Sequence, residues 1–187
     1  MIGYLDIETS FDSELTVVGV LRWDRGVVQL VGEAITPPYV HDLLDGLDTI
    51  CTYNGAAFDL PVLDRALGLR LIESFRSLDL ADECRRRRIR GGLKAIEQRF
   101  AIPRGLRNVN GYDAMLLWDR WTNGDREALE TLLAYNRDDV VNLALLERRL
   151  RGDLTDLPTV ATTVVGVSAS DTGPSAAASH SPGRGTR

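Results

Sequence analysis

The sequence predicts an α/β domain, a mixed five-stranded sheet flanked by helices, and three observations predict it. Short runs rich in β-branched residues recur up to about residue 80. Helix-period apolar patterns take over from about residue 81 to residue 150. Before that point the order is strand, hairpin, helix, strand, helix, strand, the alternation of a sheet with helices packed on it.

Tyr4 to Ile7 reads as a short buried strand. Leu15 to Trp23 and Val27 to Gly32 flank Asp24-Arg25-Gly26, a tight hairpin signal. Pro37 and Pro38 open a short helix through Leu47, with Leu43, Leu44 and Leu47 at helical spacing. Thr49 to Tyr53 is a further strand, ended by Asn54-Gly55, a pair suited to positive φ. A helix from about Ala57 follows and stops at Gly68, with Pro61 in its first turn, where a missing N–H costs little. Ser77 to Leu80 makes the fifth strand. Helices are then expected over about 81–89, 92–100, 111–121 and 125–150, the last with Leu129, Leu132, Leu133, Val140, Leu143 and Leu150 on one face.

The domain is expected to span residues 1–151. From Gly152 onward Thr, Ser, Ala, Gly and Pro dominate and aromatic residues vanish, so residues 152–187 are expected to be a disordered tail, unable to bury enough apolar surface to offset the entropy of ordering. The 187 residues, 44% apolar and 26% charged, suit one globular domain. No apolar run approaches the roughly 20 residues that span a bilayer, and Asp6 and Glu8 interrupt any secretory leader pattern. A cytoplasmic protein without a membrane partner is the expectation, and no protein partner can be inferred. Cys51 and Cys84 are too few for a disulfide framework, and the two histidines give little material for a histidine-rich metal site or a Ser-His-Asp triad. A metal here would be held by oxygen, which favours magnesium or manganese over zinc.

The carboxylates carry the chemistry. Asp6 and Glu8 are two apart on a strand and leave the same face, while Ile7 points into the opposite core. Two acids on one face raise each other's pKa unless a cation lies between them. Tyr135 and Asp139 are four apart on the long helix and share a face, with Asp138 roughly 100° away around it. Asp59 stands at a strand-to-helix junction, where an acid is also a routine cap. Taken singly, each has a commonplace explanation. As an ordered set on the first strand, an early helix and a late helix, they can converge at one sheet edge and hold two divalent ions about 4 Å apart.

Asp6-Ile7-Glu8-Thr9, Asn54-Gly55-Ala56-Ala57-Phe58-Asp59-Leu60-Pro61 and Tyr135-Asn136-Arg137-Asp138-Asp139 resemble the three motifs of DEDDy-type 3′–5′ exonucleases of the ribonuclease-H-like superfamily. The likeness extends to compact prokaryotic exonuclease-domain proteins of that superfamily, which carry a segment similar to Gly92-Leu93-Lys94-Ala95-Ile96-Glu97, and it covers about residues 1–150. It implies a ribonuclease-H-like fold and a metal-dependent 3′–5′ exonuclease using two divalent cations, Mg²⁺ or Mn²⁺. By position, Asp6 would bridge both ions, Glu8 and Asp139 would bind the ion that activates water, and Asp59 would act at the second, directly or through water. Tyr135 would hold the nucleophile. Asn54, Phe58 and Thr9 would contact the terminal nucleotide, Phe58 by packing on a base or sugar. The histidine-bearing subgroup needs a histidine where Ala134 stands, so the tyrosine subgroup matches.

The expected partner is nucleic acid, single-stranded at its 3′ end. Although the net charge is −5, the stretch from Arg85 to Arg107 holds nine basic residues against one acid, Glu97. Arg85, Arg86, Arg87, Arg88 and Lys94 are therefore candidate phosphate contacts, although a charge run is most often a solvated helix face. Two other readings are a nucleic-acid-binding module with little turnover and an endonuclease on RNA–DNA hybrids. Nothing in the spacing separates DNA from RNA.

Overall fold

A computed structural model describes residues 1–166. Six strands, β1 (Ile2–Thr9), β2 (Leu15–Arg22), β3 (Gly26–Val31), β4 (Thr49–Thr52), β5 (Arg76–Asp79) and β6 (Thr162–Val165), form one mixed sheet in the order β5-β4-β1-β2-β3-β6. β1, β2 and β3 make an antiparallel meander, whereas β4 and β5 run parallel to β1 on one side. The expected mixed sheet is present, with one strand more than the sequence suggested.

That sixth strand comes from the segment expected to be disordered. Thr162–Val165 pair in parallel with Val27–Leu30 and cover the edge that β3 would otherwise present to solvent. The bulk composition of the segment hid a local signal, the β-branched run Thr162-Thr163-Val164-Val165, which forms a short, mostly exposed edge strand held by backbone hydrogen bonds to β3. The remainder of the expected tail, residues 167–187, lies outside the described residues.

The helices are α1 (Pro37–Leu44), α2 (Asp59–Leu67), α3 (Leu71–Ser74), α4 (Leu80–Arg86), α5 (Leu93–Arg99), α6 (Gly111–Thr122) and α7 (Arg126–Leu150). The short α3 and a 3₁₀ turn at Gly32–Ala34 were not foreseen; both are too brief to show a period. Gly68 ends α2 in the left-handed conformation, as the sequence suggested.

Alternation along β1 divides the interior in two. Leu5 and Ile7 pack with Val18, Val20, Ile50 and the apolar stripe of α1 and α2, including Leu43, Leu60 and Leu63. Tyr4 faces the other way, into Cys51, Leu80, Ile96, Val140 and Leu143 beneath α4, α5 and α7. Asp6 and Glu8 share Tyr4's face, so they look toward α7. Leu132 and Tyr135 of α7, with Ala114 and Leu117 of α6, close over Val17 on that side. Each large side chain so buried contributes roughly 1.5–3 kcal/mol, enough to lock α7 across the sheet.

Candidate active site

The site forms at the carboxyl ends of the parallel strands β1, β4 and β5, where the loops after each strand meet the middle of α7. Open α/β sheets bind ligands in the crevice outside the carboxyl ends of their parallel strands. A register shift between Glu8 and Thr9, where Glu8 pairs with Val17 and Thr9 with Leu15, ends the regular ladder beside the acids. Such a bulge re-aims side chains at a strand end.

Oxygens of Asp6, Glu8 and Asp139 all lie within 4.8 Å of one another. Asp139 lies more than 130 residues from Asp6 and Glu8 in sequence and is brought to them by the packing of α7 on β1. Asp59 reaches the same cleft from the opposite helical layer. It is the first residue of α2, and its Oδ1 accepts the backbone N–H of Ile7 at 3.1 Å. It therefore ties α2 to β1 beside the other acids and does not cap its own helix. Asp59 is not among the three that crowd within 4.8 Å.

Burial and mutual repulsion act together on this group. Burial comes first for Asp6, followed by the charges of Asp139, Glu8 and Asp59, and its carboxyl is held well above the usual range. Glu8 is raised likewise by burial and by Asp139 and Asp59. Burial pushes Asp59 up to about 7 and Asp139 up to about 6, the latter restrained by the Arg104 guanidinium beside it. Glu8 Oε1 is buried with no hydrogen-bond partner among the described residues. A cluster of converging oxygen donors with an orphaned buried carboxylate oxygen fits a hard divalent cation, Mg²⁺ or Mn²⁺. Arg104, absent from the metal reading of the sequence, is the cation that meets Asp139.

Tyr135 is 8% exposed on α7 and lies between two cations, with Lys94 Nζ 4.8 Å and Arg104 Cζ 5.6 Å from its ring centroid. Burial, then Asp139, Glu8 and Asp6, push its hydroxyl far upward, so the phenol is neutral and is a donor, with no basic phenolate to offer. A cleft of about 490 Å³ is lined by the four acids, Tyr135, Thr9, Asn54 and Phe58, together with Phe11, Tyr53 and Met115. A second lobe of about 460 Å³ opens from Asp6, Asp139 and Tyr135 past Gly92, Lys94 and Asn110.

The loop carrying Asn54 and Phe58 is strapped by a residue the sequence reading passed over. Asp79, at the end of β5, accepts N–H bonds from Asn54 at 2.8 Å, Ala56 at 3.2 Å and Ala81 at 2.9 Å. Asn54 takes φ of 62°, and Gly55 is required because a Cβ there would meet Thr52 at 2.4 Å. Phe58 stands 49% exposed at the cleft rim. Nearby, Phe11 and Tyr112 form an edge-to-face pair with centroids 5.7 Å apart.

The basic stretch does not act as one surface. Arg104 is interior, bonded to Glu97 and Asp139, and so cannot meet a phosphate backbone. Arg85, Arg86 and Arg87 are exposed but pair with Asp82 and Glu83 on their own helix, outside the residues that line the cleft. Arg88 and Arg90 form no ion pair among the described residues, and their turn is pinned to the cleft wall by Tyr53, whose hydroxyl donates to Gly91 O at 2.6 Å.

A family model for the RNase H superfamily matches residues 3–151. The chain belongs to the RNase H superfamily. The solved structure of the family B DNA polymerase from the hyperthermophilic archaeon Pyrobaculum calidifontis is similar to this RNase H-superfamily chain over 79% of its length, with a TM-score of 0.63 and 18% identity. The chain spans only 24% of that polymerase, and the likeness is one of fold. No curated protein matches the chain. No helix among the described residues is long and apolar enough to cross a membrane.

Proposed function

We propose that the chain is a metal-dependent 3′–5′ exonuclease, hydrolysing phosphodiester bonds at single-stranded nucleic-acid 3′ ends and releasing nucleoside 5′-monophosphates. The observation that carries this reading is the convergence of Asp6, Glu8 and Asp139 within 4.8 Å, with Asp59 and Tyr135 on the same cleft. Asp6, Glu8, Asp139 and Asp59 would hold two divalent cations. Bound there, such ions supply an activated water and neutralise charge on the leaving oxygen.

The protein's own groups prepare that chemistry. Asn136 orients Asp6, Arg104 orients Asp139, and Ile7's N–H holds Asp59. Tyr135, neutral and immobilised, donates its hydroxyl hydrogen toward the attacking water and aims a lone pair of that water at phosphorus. Thr9, Asn54 and Phe58 meet the terminal nucleotide, and Lys94 sits where the scissile phosphate would bring its charge. Phe11, Phe58 and Met115 line the same cleft and offer apolar surface on which an unpaired terminal base could pack.

The test is an end-resolved digestion of matched DNA and RNA oligonucleotides with Mg²⁺ or Mn²⁺. Stepwise shortening from the 3′ end with release of 5′-monophosphates is expected. Retention without shortening would make the chain a binding module, and internal cuts in an end-blocked RNA–DNA hybrid would make it an endonuclease.

A further inference from the structure

The segment Gly92–Glu97 ends on a residue to which the exonuclease reading assigns no task. Glu97 lies on α5 and is 2% exposed. Arg104 clasps it in a fork: Nε donates to Oε2 at 2.7 Å and Nη2 to Oε1 at 2.6 Å. The same Nη2 also donates to Oδ1 of Asp139. One turn further along α7, Asn142 Nδ2 donates to Glu97 Oε1 at 3.0 Å and to Pro103 O at 3.2 Å. On the other flank, Asp138 Oδ2 accepts the N–H groups of Gly105 at 2.9 Å and Leu106 at 3.2 Å. The loop that carries Arg104 is thus fastened to α7 on both sides of Asp139.

This arrangement is unusual within the molecule. Among the described residues, only the two ion pairs of Arg104 have both side chains less than 10% exposed; every other pair has at least one partner well open to solvent. A buried ion pair contributes little to stability compared with apolar packing of the same volume, because both charges must leave water. Anchoring the loop does not need it either, since Asp138 and Asn142 already do that. What the fork does supply is direction. It bonds one oxygen of Asp139 and so fixes the rotation of that carboxylate toward Asp6 and Glu8, while Glu97 fixes the guanidinium and offsets its charge.

We propose that Arg104, held by Glu97, is a positioning residue for Asp139 that sets the cation affinity of the carboxylate cluster. This role rests on the metal-dependent reading of the same site. Arg104 itself is buried, beneath the Tyr135 ring, and touches no substrate.

The experiment measures Mn²⁺ binding by calorimetry in the full chain, with thermal unfolding recorded for each protein. Arg104→Met alone strands the Glu97 charge and is expected to destabilise the fold. The double variant Glu97→Gln, Arg104→Met removes both charges together, so net charge and packing are kept. It is expected to unfold near the wild-type temperature but bind Mn²⁺ about 10- to 100-fold more weakly, the usual range for a lost supporting partner of a metal ligand. Arg104→Lys is the second variant. It keeps a cation in the cavity but not the planar fork, and weaker Mn²⁺ binding in the folded protein is again expected. In both variants kcat should fall while KM for an oligonucleotide stays put. Wild-type Mn²⁺ affinity in either folded variant would overturn the positioning role and leave the nuclease reading standing. Failure of the wild-type protein to bind Mn²⁺ would overturn both.

Discussion

Asn136 of α7 holds Asp6 of β1 twice, its Nδ2 donating to the backbone carbonyl at 3.2 Å and to Oδ2 at 3.0 Å. Its own Oδ1 accepts from Gln29 Nε2 at 2.9 Å, so the buried amide makes three of its four possible hydrogen bonds. Gly19 on β2 makes room, since a Cβ there would lie 2.1 Å from Asn136 Oδ1. Asn136→Ala is expected to cost about 1–3 kcal/mol of stability and to slow nucleotide release about 10- to 100-fold. Gly19→Ala should give a similar loss by overpacking, about 1–3 kcal/mol. Denaturant melts and steady-state digestion check both, and a normal rate in Asn136→Ala would show that Asp6 needs no such clamp.

Asp6→Ala is expected to abolish cleavage while the protein still folds, because Asp6 serves the cluster and not the apolar core. Tyr135→Phe should slow the reaction by about 100-fold and leave Mn²⁺ binding intact. Asp138→Asn is the comparison. Its carboxylate faces the Gly105–Leu106 backbone, away from the cluster, and an amide oxygen can still accept one of those bonds. Equal damage from Asp6→Ala and Asp138→Asn, read in the same oligonucleotide assay, would mean the wrong aspartate has been chosen.

The raised carboxyls make stability depend on pH and on metal together. With Asp59 near 7 and Asp139 near 6 in the folded chain against 3.8 unfolded, the folded state binds more protons between these values. Stability without divalent ions should therefore fall as pH rises from about 4 to about 7. A bound cation favours the ionised acids and reverses the sign. Mn²⁺ should raise the unfolding temperature strongly at about pH 8 and hardly at about pH 5. A shift of equal size at both pH values would count against ligation by these acids.

Among the surface arginines, Arg88 and Arg90 should matter more to nucleic-acid affinity than Arg85, Arg86 and Arg87, whose charges are engaged by Asp82 and Glu83. Reversing Arg88 and Arg90 should flatten the salt dependence of oligonucleotide binding, measured in chelator. The change in log–log slope is about 0.7 per lost contact, hence about 1.4 for two. Reversing Arg85 to Arg87 should do less. An unchanged slope in the Arg88, Arg90 variant would remove that turn from the binding path.

A chain ending at residue 161 loses β6 and bares the backbone of Val27–Leu30 along the sheet edge. An unpaired, apolar edge strand invites pairing with another chain. The shortened protein is expected to self-associate, visible in light scattering, while the full chain does not. Monodispersity of both would show that β3 needs no cover.

Much of this fold was legible in the sequence because its signals are local. The Asp24-Arg25-Gly26 hairpin, the stop at Gly68 and the apolar stripe of α7 each follow from a few adjacent residues, and each stands where expected. α3 was missed because one helical turn shows no repeat, and β6 because it lies in a polar, small-residue segment and is held mainly by its pairing with β3. In the candidate site, alternation along β1 and the helical repeat of α7 placed Asp6 with Glu8 and Tyr135 with Asp139 on shared faces. That Asp138 faces the other way was equally readable.

By its order alone, the chain determined which acids could meet and which faces they share, since periodicity fixes side-chain direction within one element. Only tertiary packing decided that Asn136 grips Asp6, that Asp79 straps the Asn54 loop, and that Arg104 leaves the basic run to join Glu97 and Asp139 in the interior. Those contacts join residues up to 130 positions apart, and their geometry depends on how whole helices seat on the sheet, which no spacing within a single segment encodes.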